Sequence, residues 1–440
     1  MLLTAVTQPT IFALASGNFR AAISVIRISG AETSEIVTTL AGGLPAPRRA
    51  SLRAIRGANG DVLDRALILW LPGPASYTGE NSAELHLHGG AAVLRAVLER
   101  LAALGARQAE PGEFTRRAFL NGRMDLLEAE GIADLVAAET DAQRRQALLQ
   151  VSGTQSGILA GWADRLRRML AWQEALIDFP DEDLPPETDA VLQSEIRALA
   201  MEMDAAIADG ERGIKLRDGL VVAVIGAPNA GKSSIVNALA QRDIAIVSPI
   251  PGTTRDTLEA MIELRGVQIT LVDTAGLRVT QDAVEAEGVR RALVRAAGAD
   301  VVLRVIDANC PVDAADELLM LPAQARQIVV FNKIDLAPAP RDALGVSAAS
   351  GDGLARLLDV LQEAACALAM PTGSAVLTRM RHVVALREAA SALREAQRAD
   401  LPELRGEDLR RAMRALGTMT GAVDVEGILD TVFGAFCIGK

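Results

Sequence analysis

The sequence has few aromatic residues, few cysteines and no long apolar run. Aromatic side chains make up 3% of its 440 residues, which argues against a stacking platform for single-stranded nucleic acid. The three cysteines, Cys310, Cys366 and Cys437, lie far apart in the chain, so neither a disulfide framework nor a cluster of metal ligands is expected. No apolar run approaches the roughly 18 residues that a membrane span needs. Together these absences predict a cytoplasmic protein that does not enter a membrane.

Positive charge is also scarce. The chain has 45 Lys and Arg against 56 Asp and Glu, a formal net charge of −11. This balance argues against a protein whose main task is to coat nucleic acid, but it permits a local basic patch. Half of the residues are hydrophobic, which is enough for ordinary cores. At roughly 100–200 residues per domain, the length predicts about two to four domains.

The first part of the chain, residues 1–121, has a mixed pattern. Three short apolar or alternating runs, Ile23–Ile28, Ala66–Leu71 and Ala83–His88, are typical of strands. Apolar residues between Val93 and Leu101 recur at helical spacing. We therefore expect an N-terminal α+β domain.

The remaining chain alternates between two other patterns. Residues 122–214 and 372–440 keep helical spacing, and one apolar stripe from Leu148 to Leu176 predicts a long helix. Residues 215–371 alternate short buried strands with helices, which is typical of a parallel, doubly wound sheet. The sequence thus predicts a multidomain α/β protein in which an inserted α/β domain interrupts a helical domain.

A phosphate-binding motif opens the inserted domain. The apolar run Val221–Ile225 is followed by Gly226–Ser233, which matches the pattern G-x-x-x-x-G-K-[ST]. In such a loop Lys232 would neutralise the β- and γ-phosphates of a nucleotide, and the Ser233 hydroxyl would bind Mg²⁺. The alternative is a glycine-rich turn between a strand and a helix that binds no ligand.

Three further motifs follow apolar runs: Asp273–Gly276, Asn332–Asp335 and Ser347–Ala348. Open α/β sheets bind ligands at the carboxyl ends of their strands. The Asp335 carboxylate can accept hydrogen bonds from the two adjacent donors of guanine, which adenine lacks; taken alone, Asn-Lys-x-Asp can also be a helix cap. We therefore expect a GTP site in a Ras-like P-loop domain. The predicted nucleotide-binding residues are Gly226, Asn229, Ala230, Gly231, Lys232, Ser233, Ser234, Ser248, Pro249, Ile250, Pro251, Gly252, Thr253, Thr254, Asp273, Thr274, Ala275, Gly276, Asn332, Lys333, Asp335, Ser347 and Ala348.

The residue after the Asp-Thr-Ala-Gly motif is Leu277. Ras-type GTPases use a glutamine there to orient the attacking water, and leucine cannot do so. A monovalent cation near Asn229 would supply positive charge to the transition state, with further oxygen ligands from the segment 248–254. A hydrogen bond within the loop is the alternative role of Asn229.

Several of these motifs, with others outside the inserted domain, resemble the MnmE (TrmE) family of tRNA-modification GTPases. The resemblance covers nearly the whole chain. It is carried by Ser76–Glu80, Gly112–Asn121, Gly226–Ser233 with its internal Pro-Asn, Gly252–Asp256, Asp273–Arg278 and the terminal Phe-Cys-Ile-Gly-Lys at 436–440.

The resemblance implies a folate-binding, dimerising domain over residues 1–121, a helical domain over 122–214 and 372–440, and a G domain over 215–371. It also implies a homodimer that works on tRNA together with the partner protein MnmG (GidA), which carries FAD. The pair would install a carboxymethylaminomethyl-type group on the wobble uridine of certain tRNAs, taking one carbon from a tetrahydrofolate derivative. GTP hydrolysis would be activated by potassium.

The resemblance also implies individual roles. Glu285 would help to position the attacking water, with a solvated helix face as the alternative, and Cys437 would serve the modification chemistry, with packing as the alternative. Lys232 and Asn229 would support hydrolysis. The implied ligands are Asn229, Ser248, Ile250 and Thr253 for K⁺, and Ser233 and Thr254 for Mg²⁺.

The folate-binding positions implied by the resemblance make chemical sense. A pterin carries the same adjacent donors as guanine, which suits Glu84, and cationic side chains suit the glutamate tail. Alternatives are an ordinary polar strand face, or a metal site formed by Glu84 with His86 and His88. A regulatory or ribosome-assembly GTPase without modification chemistry is the other functional hypothesis. The matching positions are Arg27, Glu84, Arg123 and Lys440.

Overall fold

The computed structural model describes residues 8–17, 21–178, 188–241, 259–273, 296–310, 324–373 and 377–422, together with 429, 432–434, 436 and 439. The chain forms two compact units, one of residues 1–133 and 417–440, the other of residues 134–416. Within the described ranges no helix is long and apolar enough to cross a membrane.

The first unit is an α+β structure built on a six-stranded sheet of order β3-β4-β5-β2-β1-β6. Its strand pairs are antiparallel except β1 with β6. The predicted strands and helix are confirmed, although β4 begins earlier than expected, at Val62. The elements are β1 Ile11–Leu14, β2 Ile23–Ser29, α1 Thr33–Ala41, β3 Ser51–Arg56, β4 Val62–Leu71, β5 Ser82–His88, α2 Ala91–Ala103, β6 Arg107–Gln108, α3 Glu113–Leu120 and α4 Leu126–Ala137.

The two faces of this sheet are different. One face packs against α1 and α2 through fully buried residues such as Ile26, Leu40 and Leu85. On the other face, Ile11 packs with Phe114 of α3. Residues directly opposite each other on paired strands share a face. Arg27 of β2 lies opposite Glu84 of β5, and both lie on the face that carries Ile11 and Phe114.

The second unit contains the long helices and a second six-stranded sheet, of order β12-β11-β10-β7-β9-β8. All of its strand pairs are parallel except β8 with β9, as the apolar runs predict. The elements are α5 Asp141–Val151, α6 Thr154–Asp178, α7 Thr188–Asp218, β7 Leu220–Ile225, α8 Lys232–Ala240, β8 Glu259–Leu264, β9 Val267–Asp273, β10 Val301–Asp307, β11 Arg326–Asn332, β12 Leu344–Gly345, α9 Leu354–Ala369, α10 Met380–Arg398 and α11 Pro402–Thr420.

The prediction of one long helix from Leu148 to Leu176 is wrong. Gly153 has φ 74°, a left-handed conformation that ends a helix, and it separates α5 from α6. Leu148 is 42% exposed, whereas the apolar residues Trp162, Leu166 and Met169 of α6 are buried. The apolar spacing continued across a break that only the backbone conformation of Gly153 reveals.

The turn between β8 and β9 lies against the N-terminus of α5. The Thr140 hydroxyl donates to the carbonyl of Gly266 at 2.6 Å, and the Gln143 amide donates to the carbonyl of Arg217 at 3.1 Å and to the Gln268 side chain at 3.2 Å. Thr140 and Gln143 also form a capping box at the start of α5. The N-terminal end of β9 is therefore held by the helices, and its other end carries Asp273.

One buried carboxylate connects the helices at both places where the chain passes into and out of the inserted domain. Asp134 Oδ1 accepts from Arg217 Nε, at the end of α7, and from Arg379 Nη2, just before α10, both at 2.8 Å. A second carboxylate, Asp209 of α7, accepts from the backbone N–H of Thr372 at 3.0 Å. These contacts tie the two crossing segments to each other.

Removing the Asp134 carboxylate is expected to destabilise this unit. Asp134→Ala leaves two largely buried guanidinium groups without that partner, and breaking a buried pair of this kind costs about 3–5 kcal/mol. Because the arginines are 31% and 21% exposed, we expect the free energy of unfolding in urea to fall by about 2 kcal/mol. The control is Asp164→Ala, whose partner Arg167 is 64% exposed, with an expected loss below about 1 kcal/mol. Equal stability of the two variants would contradict this role.

Candidate nucleotide-binding site

The predicted motifs converge at one edge of the second sheet. The phosphate loop follows β7, Asp273 ends β9, and Asn332 ends β11. Because β7, β9, β10 and β11 run parallel, their carboxyl ends meet at the same edge, where open α/β sheets bind ligands.

The phosphate loop has the conformation that its glycines allow. Gly226 has φ 152°, and a Cβ there would lie 2.1 Å from the Val305 carbonyl oxygen. Lys232 is buried, and its ammonium group donates to the carbonyl oxygens of Gly226 and Ala227. The cation is thus already inside the loop that would surround the phosphates.

Ser233 and Asp273 are in direct contact. The Ser233 hydroxyl donates to Asp273 Oδ2, and the Asp273 side chain is buried at the end of β9. A hydroxyl beside a carboxylate supplies the oxygen ligands that Mg²⁺ prefers. This pair could hold the metal of a nucleotide complex.

Asn332 joins the phosphate loop to the loop that follows β12. Its side-chain amide donates to the Ala230 carbonyl at 2.9 Å and accepts from the Ala348 backbone N–H at 3.2 Å. It is 2% exposed. Asp335, by contrast, is exposed, as expected for a carboxylate that would meet an incoming base.

Asp307 is a site residue that the sequence reasoning missed. It ends β10, and its carboxylate pairs with the Lys333 ammonium at 2.6 Å. Burial acts to raise the pKa of Asp307, but the hydrogen bonds from Lys333 and from the backbone of Asn309 and Cys310 outweigh it and hold the pKa below its ordinary value. The signal was present, because Asp307 directly follows the mainly apolar run 301–306, which only Arg304 interrupts.

Two of the predicted folate residues lie together in the first unit. Arg27 pairs with Glu84 at 2.9 Å, and its guanidinium carbon lies 5.3 Å from the Tyr77 ring centroid and 5.8 Å from that of Phe114. Since they touch, Arg27 and Glu84 would act at the same end of a ligand. Arg123 is exposed, and the glutamate tail would be left to it and to Lys440.

The histidines that share a strand with Glu84 do not complete a metal site. His88 pairs with Asp64 at 2.7 Å, while Glu84 is engaged by Arg27. In the part of the chain that the structure describes, no group of three or more His, Cys, Asp or Glu side chains is arranged to hold a metal ion.

The arginines that concentrate in the helical segments are mostly neutralised. They pair with carboxylates of the same or neighbouring helices, so these faces carry mixed charge. The pairs are Arg144 and Arg145 with Asp141, Arg165 with Glu195 and Glu202, Arg167 with Asp164, Arg387 with Glu211, Arg394 with Asp204, Arg410 with Glu174, Arg411 with Glu395, and Arg414 with Glu407.

Several predicted site residues stay predictions because they lie outside the described residues. They include most of the implied potassium ligands, the second magnesium ligand, the implied water-positioning residue and the end of the chain. These residues are Ser248, Pro249, Ile250, Pro251, Gly252, Thr253, Thr254, Thr274, Ala275, Gly276, Leu277, Glu285, Cys437 and Lys440.

Replacing Gly231 by alanine is expected to damage the nucleotide site. Gly231 has φ 91°, and a Cβ there would lie 2.1 Å from Asn332 Nδ2, so the side chain would push the phosphate loop away from Asn332. We expect affinity for a fluorescent GTP analogue to fall at least about tenfold, or ~1.4 kcal/mol.

Gly105→Ala is a matched control for this substitution. Gly105 has the same φ of 91° but open space around its Cβ position, so it adds only the backbone strain of a left-handed alanine, about 1–2 kcal/mol. Normal nucleotide affinity in Gly231→Ala would show that the contact with Asn332 does not matter.

The comparisons with known proteins cover both units. The family model "GTP-binding protein TrmE N-terminus" matches residues 10–123, and the model "MnmE helical domain" matches residues 126–437. The tRNA modification GTPase MnmE of Gluconacetobacter diazotrophicus is 57% identical over 439 residues, covering 98% of this chain and 99% of that protein. The protein of the same name from Granulibacter bethesdensis is 53% identical, covering 99% of this chain and 100% of its own length.

Among solved structures, the chain is similar to Aquifex aeolicus Era bound to GDP and AlF₄⁻, at 26% identity and a TM-score of 0.26, over 41% of this chain and 69% of that one. The family assignment rests on the full-length relatives and on the family models. With its phosphate loop, buried lysine and Asn332 bridge in place, the chain belongs to the MnmE family of tRNA modification GTPases and is a GTP hydrolase.

Proposed function

We propose that this protein is a potassium-activated GTP hydrolase that drives a carboxymethylaminomethyl-type modification of the wobble uridine of certain tRNAs. It would work in the cytoplasm as a homodimer, together with the FAD-carrying protein MnmG, and use the one-carbon unit of a tetrahydrofolate derivative. The observation that carries the proposal is the meeting of buried Lys232, the Ser233–Asp273 pair and Asn332 at one sheet edge, in a chain whose relatives are named tRNA modification GTPases.

The residues of the site suggest how it would handle GTP. The Lys232 ammonium would exchange the carbonyl oxygens of Gly226 and Ala227 for phosphate oxygens. Asp335 would accept the two donors of guanine. Ser233, with Thr254, would hold Mg²⁺, which neutralises charge on the phosphates when bound. Such positioning and charge stabilisation supply most of the catalysis in phosphoryl transfer.

The role of Asn229 in potassium binding fits its surroundings. It lies in the phosphate loop with φ 63° and is exposed. Within the described ranges no hydrogen bond to its side chain is formed, so the amide oxygen is available to a cation. Leu277 cannot orient water as glutamine does. A cation beside the phosphates would supply the missing positive charge.

The Arg27–Glu84 pair supports folate binding in the first unit. Glu84 offers a carboxylate to pterin donors, and the rings of Tyr77 and Phe114 lie close to Arg27. A flat ring system would find both apolar and charged groups here. Cys437 would act in the modification chemistry.

Potassium is expected to raise the rate of GTP hydrolysis over sodium by at least about tenfold, which corresponds to ~1.4 kcal/mol of transition-state stabilisation. The measurement is phosphate release at equal ionic strength and high protein concentration. Asn229→Ala should lose this difference while still binding GTP. Equal rates in the two salts for the wild-type protein would contradict the potassium assignment.

The modification itself is tested by mass spectrometry of tRNA nucleosides from a strain that lacks the protein. The modified wobble uridine should disappear, return with the wild-type gene, and stay absent with Cys437→Ser even though that variant hydrolyses GTP normally. Unaltered tRNA in the deletion strain would favour a regulatory or ribosome-assembly GTPase instead. Restoration by Cys437→Ser would leave that cysteine with a packing role only.

A further inference from the structure

A cluster of arginines that form no ion pair with any described residue lies in the first unit. Five arginines lie on or beside the edge strand β3 and its neighbour β4: Arg48, Arg49, Arg53, Arg56 and Arg65. All five are exposed, and among the described residues none forms an ion pair with a carboxylate. We call this set the arginine edge.

The arginine edge is a local reversal of the overall charge. Residues 48–66 contain five arginines and two aspartates, a net charge of +3, in a chain of net charge −11. Most of the arginines in the helical segments, by contrast, have carboxylates at ion-pair distance, as for Arg410 with Glu174 and Arg414 with Glu407. A polyanion would therefore meet a net positive field at β3 and a mixed one at the helices.

The two aspartates of this segment cancel only part of this charge, since Asp61 is exposed and Asp64 is engaged elsewhere. The Asp64 side chain is 8% exposed and is engaged by the ring of His88 at 2.7 Å, as well as by the backbone N–H groups of Arg65 and His88. Arg56 donates to the Gly60 carbonyl at 3.0 Å, and Arg48 donates to the Ala75 carbonyl. These neutral acceptors hold two guanidinium groups in place without removing their charge.

The shape of the arginine edge suits an extended ligand. β3 ends the sheet order, so no strand of the described residues pairs with its outer side. Arg65 of β4 lies opposite Ala54, and Arg53 lies opposite Ala66, so these two arginines flank the edge from its two faces. At about 3.3 Å per residue, β3 itself, Ser51–Arg56, covers roughly 17 Å, and Arg48 and Arg49 lie just before it. A row of charges of this length fits a nucleic-acid backbone rather than a single small anion.

We propose that the arginine edge binds the phosphate backbone of tRNA, an inference that rests on the proposed function. The planar guanidinium fork matches phosphate oxygens. No exposed aromatic side chain lies among residues 48–66, so bases have nothing to stack on. The arginine edge therefore positions the tRNA and leaves the identification of the wobble base to other parts of the assembly.

The test compares two triple variants of the full-length protein. Arg49→Gln/Arg53→Gln/Arg65→Gln removes three arginines whose side chains are not used in the backbone contacts described above. The matched control, Arg144→Gln/Arg145→Gln/Arg167→Gln, removes three exposed arginines that are paired with Asp141 and Asp164. Affinity for unmodified tRNA is measured by fluorescence anisotropy at several salt concentrations.

We expect the Gln variant of the arginine edge to bind tRNA about 10- to 100-fold more weakly near 0.1 M salt. The slope of its log association constant against log salt concentration should be shallower by about 2, because each lost phosphate contact removes about 0.7–0.9. The control should keep the wild-type affinity and slope. The corresponding Arg→Lys triple variant should keep most of the slope, because it retains the charge.

Several outcomes would overturn the proposal. One is unchanged tRNA affinity in the Gln variant with normal melting temperature and GTP binding. Another is a shift from dimer to monomer in sedimentation, which would make the arginine edge an interface between copies. A third is displacement of tRNA by polyglutamate as effectively as by competing tRNA, which would indicate an acidic protein partner. If the Gln variant does not fold, loss of the salt slope in the folded Lys variant refutes the proposal.

The deletion strain distinguishes this inference from the proposed function. If its tRNA is unaltered while the purified protein still binds tRNA through the arginine edge, the modification proposal fails and the RNA contact stands. If the tRNA loses its modification while the Gln variant binds tRNA normally, the reverse holds.

Discussion

One buried side chain sets the spacing of the nucleotide site. Asn332 accepts from the loop after β12 and donates to the phosphate loop, so the part of the site that would meet the base and the part that would meet the phosphates are joined through a single amide. The contact requires Gly231, since any Cβ there would overlap Asn332.

Buried polar contacts connect the nucleotide domain to the helices. Thr140 and Gln143 hold the start of β9, and Asp134 holds the segments on either side of the inserted domain. These groups are polar and satisfied by partners from distant parts of the sequence, which makes their geometry more specific than apolar packing would be. These oriented hydrogen bonds act together with the apolar packing of Leu216 and Ala142 to place the nucleotide domain.

The sequence predicted the local parts of this structure well and the long-range polar contacts poorly. Strand positions followed from apolar alternation, and Lys232, Ser233 and Asn332 followed from motifs whose spacing is set by the chemistry of the nucleotide. Asp134 escaped prediction because its partners, Arg217 and Arg379, are 83 and 245 residues away, and charge spacing along the chain does not reveal them. The pairing of Asp307 with Lys333, 26 residues away, is hidden in the same way, although the position of Asp307 after a strand could be read from the sequence. For the same reason the concentration of arginines in the helical segments does not by itself make a basic surface, since carboxylates from other turns and helices neutralise most of them.

The contact between α5 and the turn at Gly266 also limits how freely this domain can be exchanged. A Cβ at position 266 would lie 2.8 Å from the Cβ of Ala142, and the Gly266 carbonyl is the acceptor for Thr140. A chimaera that carries the nucleotide domain of another GTPase would therefore need a glycine in this turn, whatever the similarity of its nucleotide motifs. The inserted domain is a module in sequence, but its compatibility with a host also depends on the fit of this hairpin.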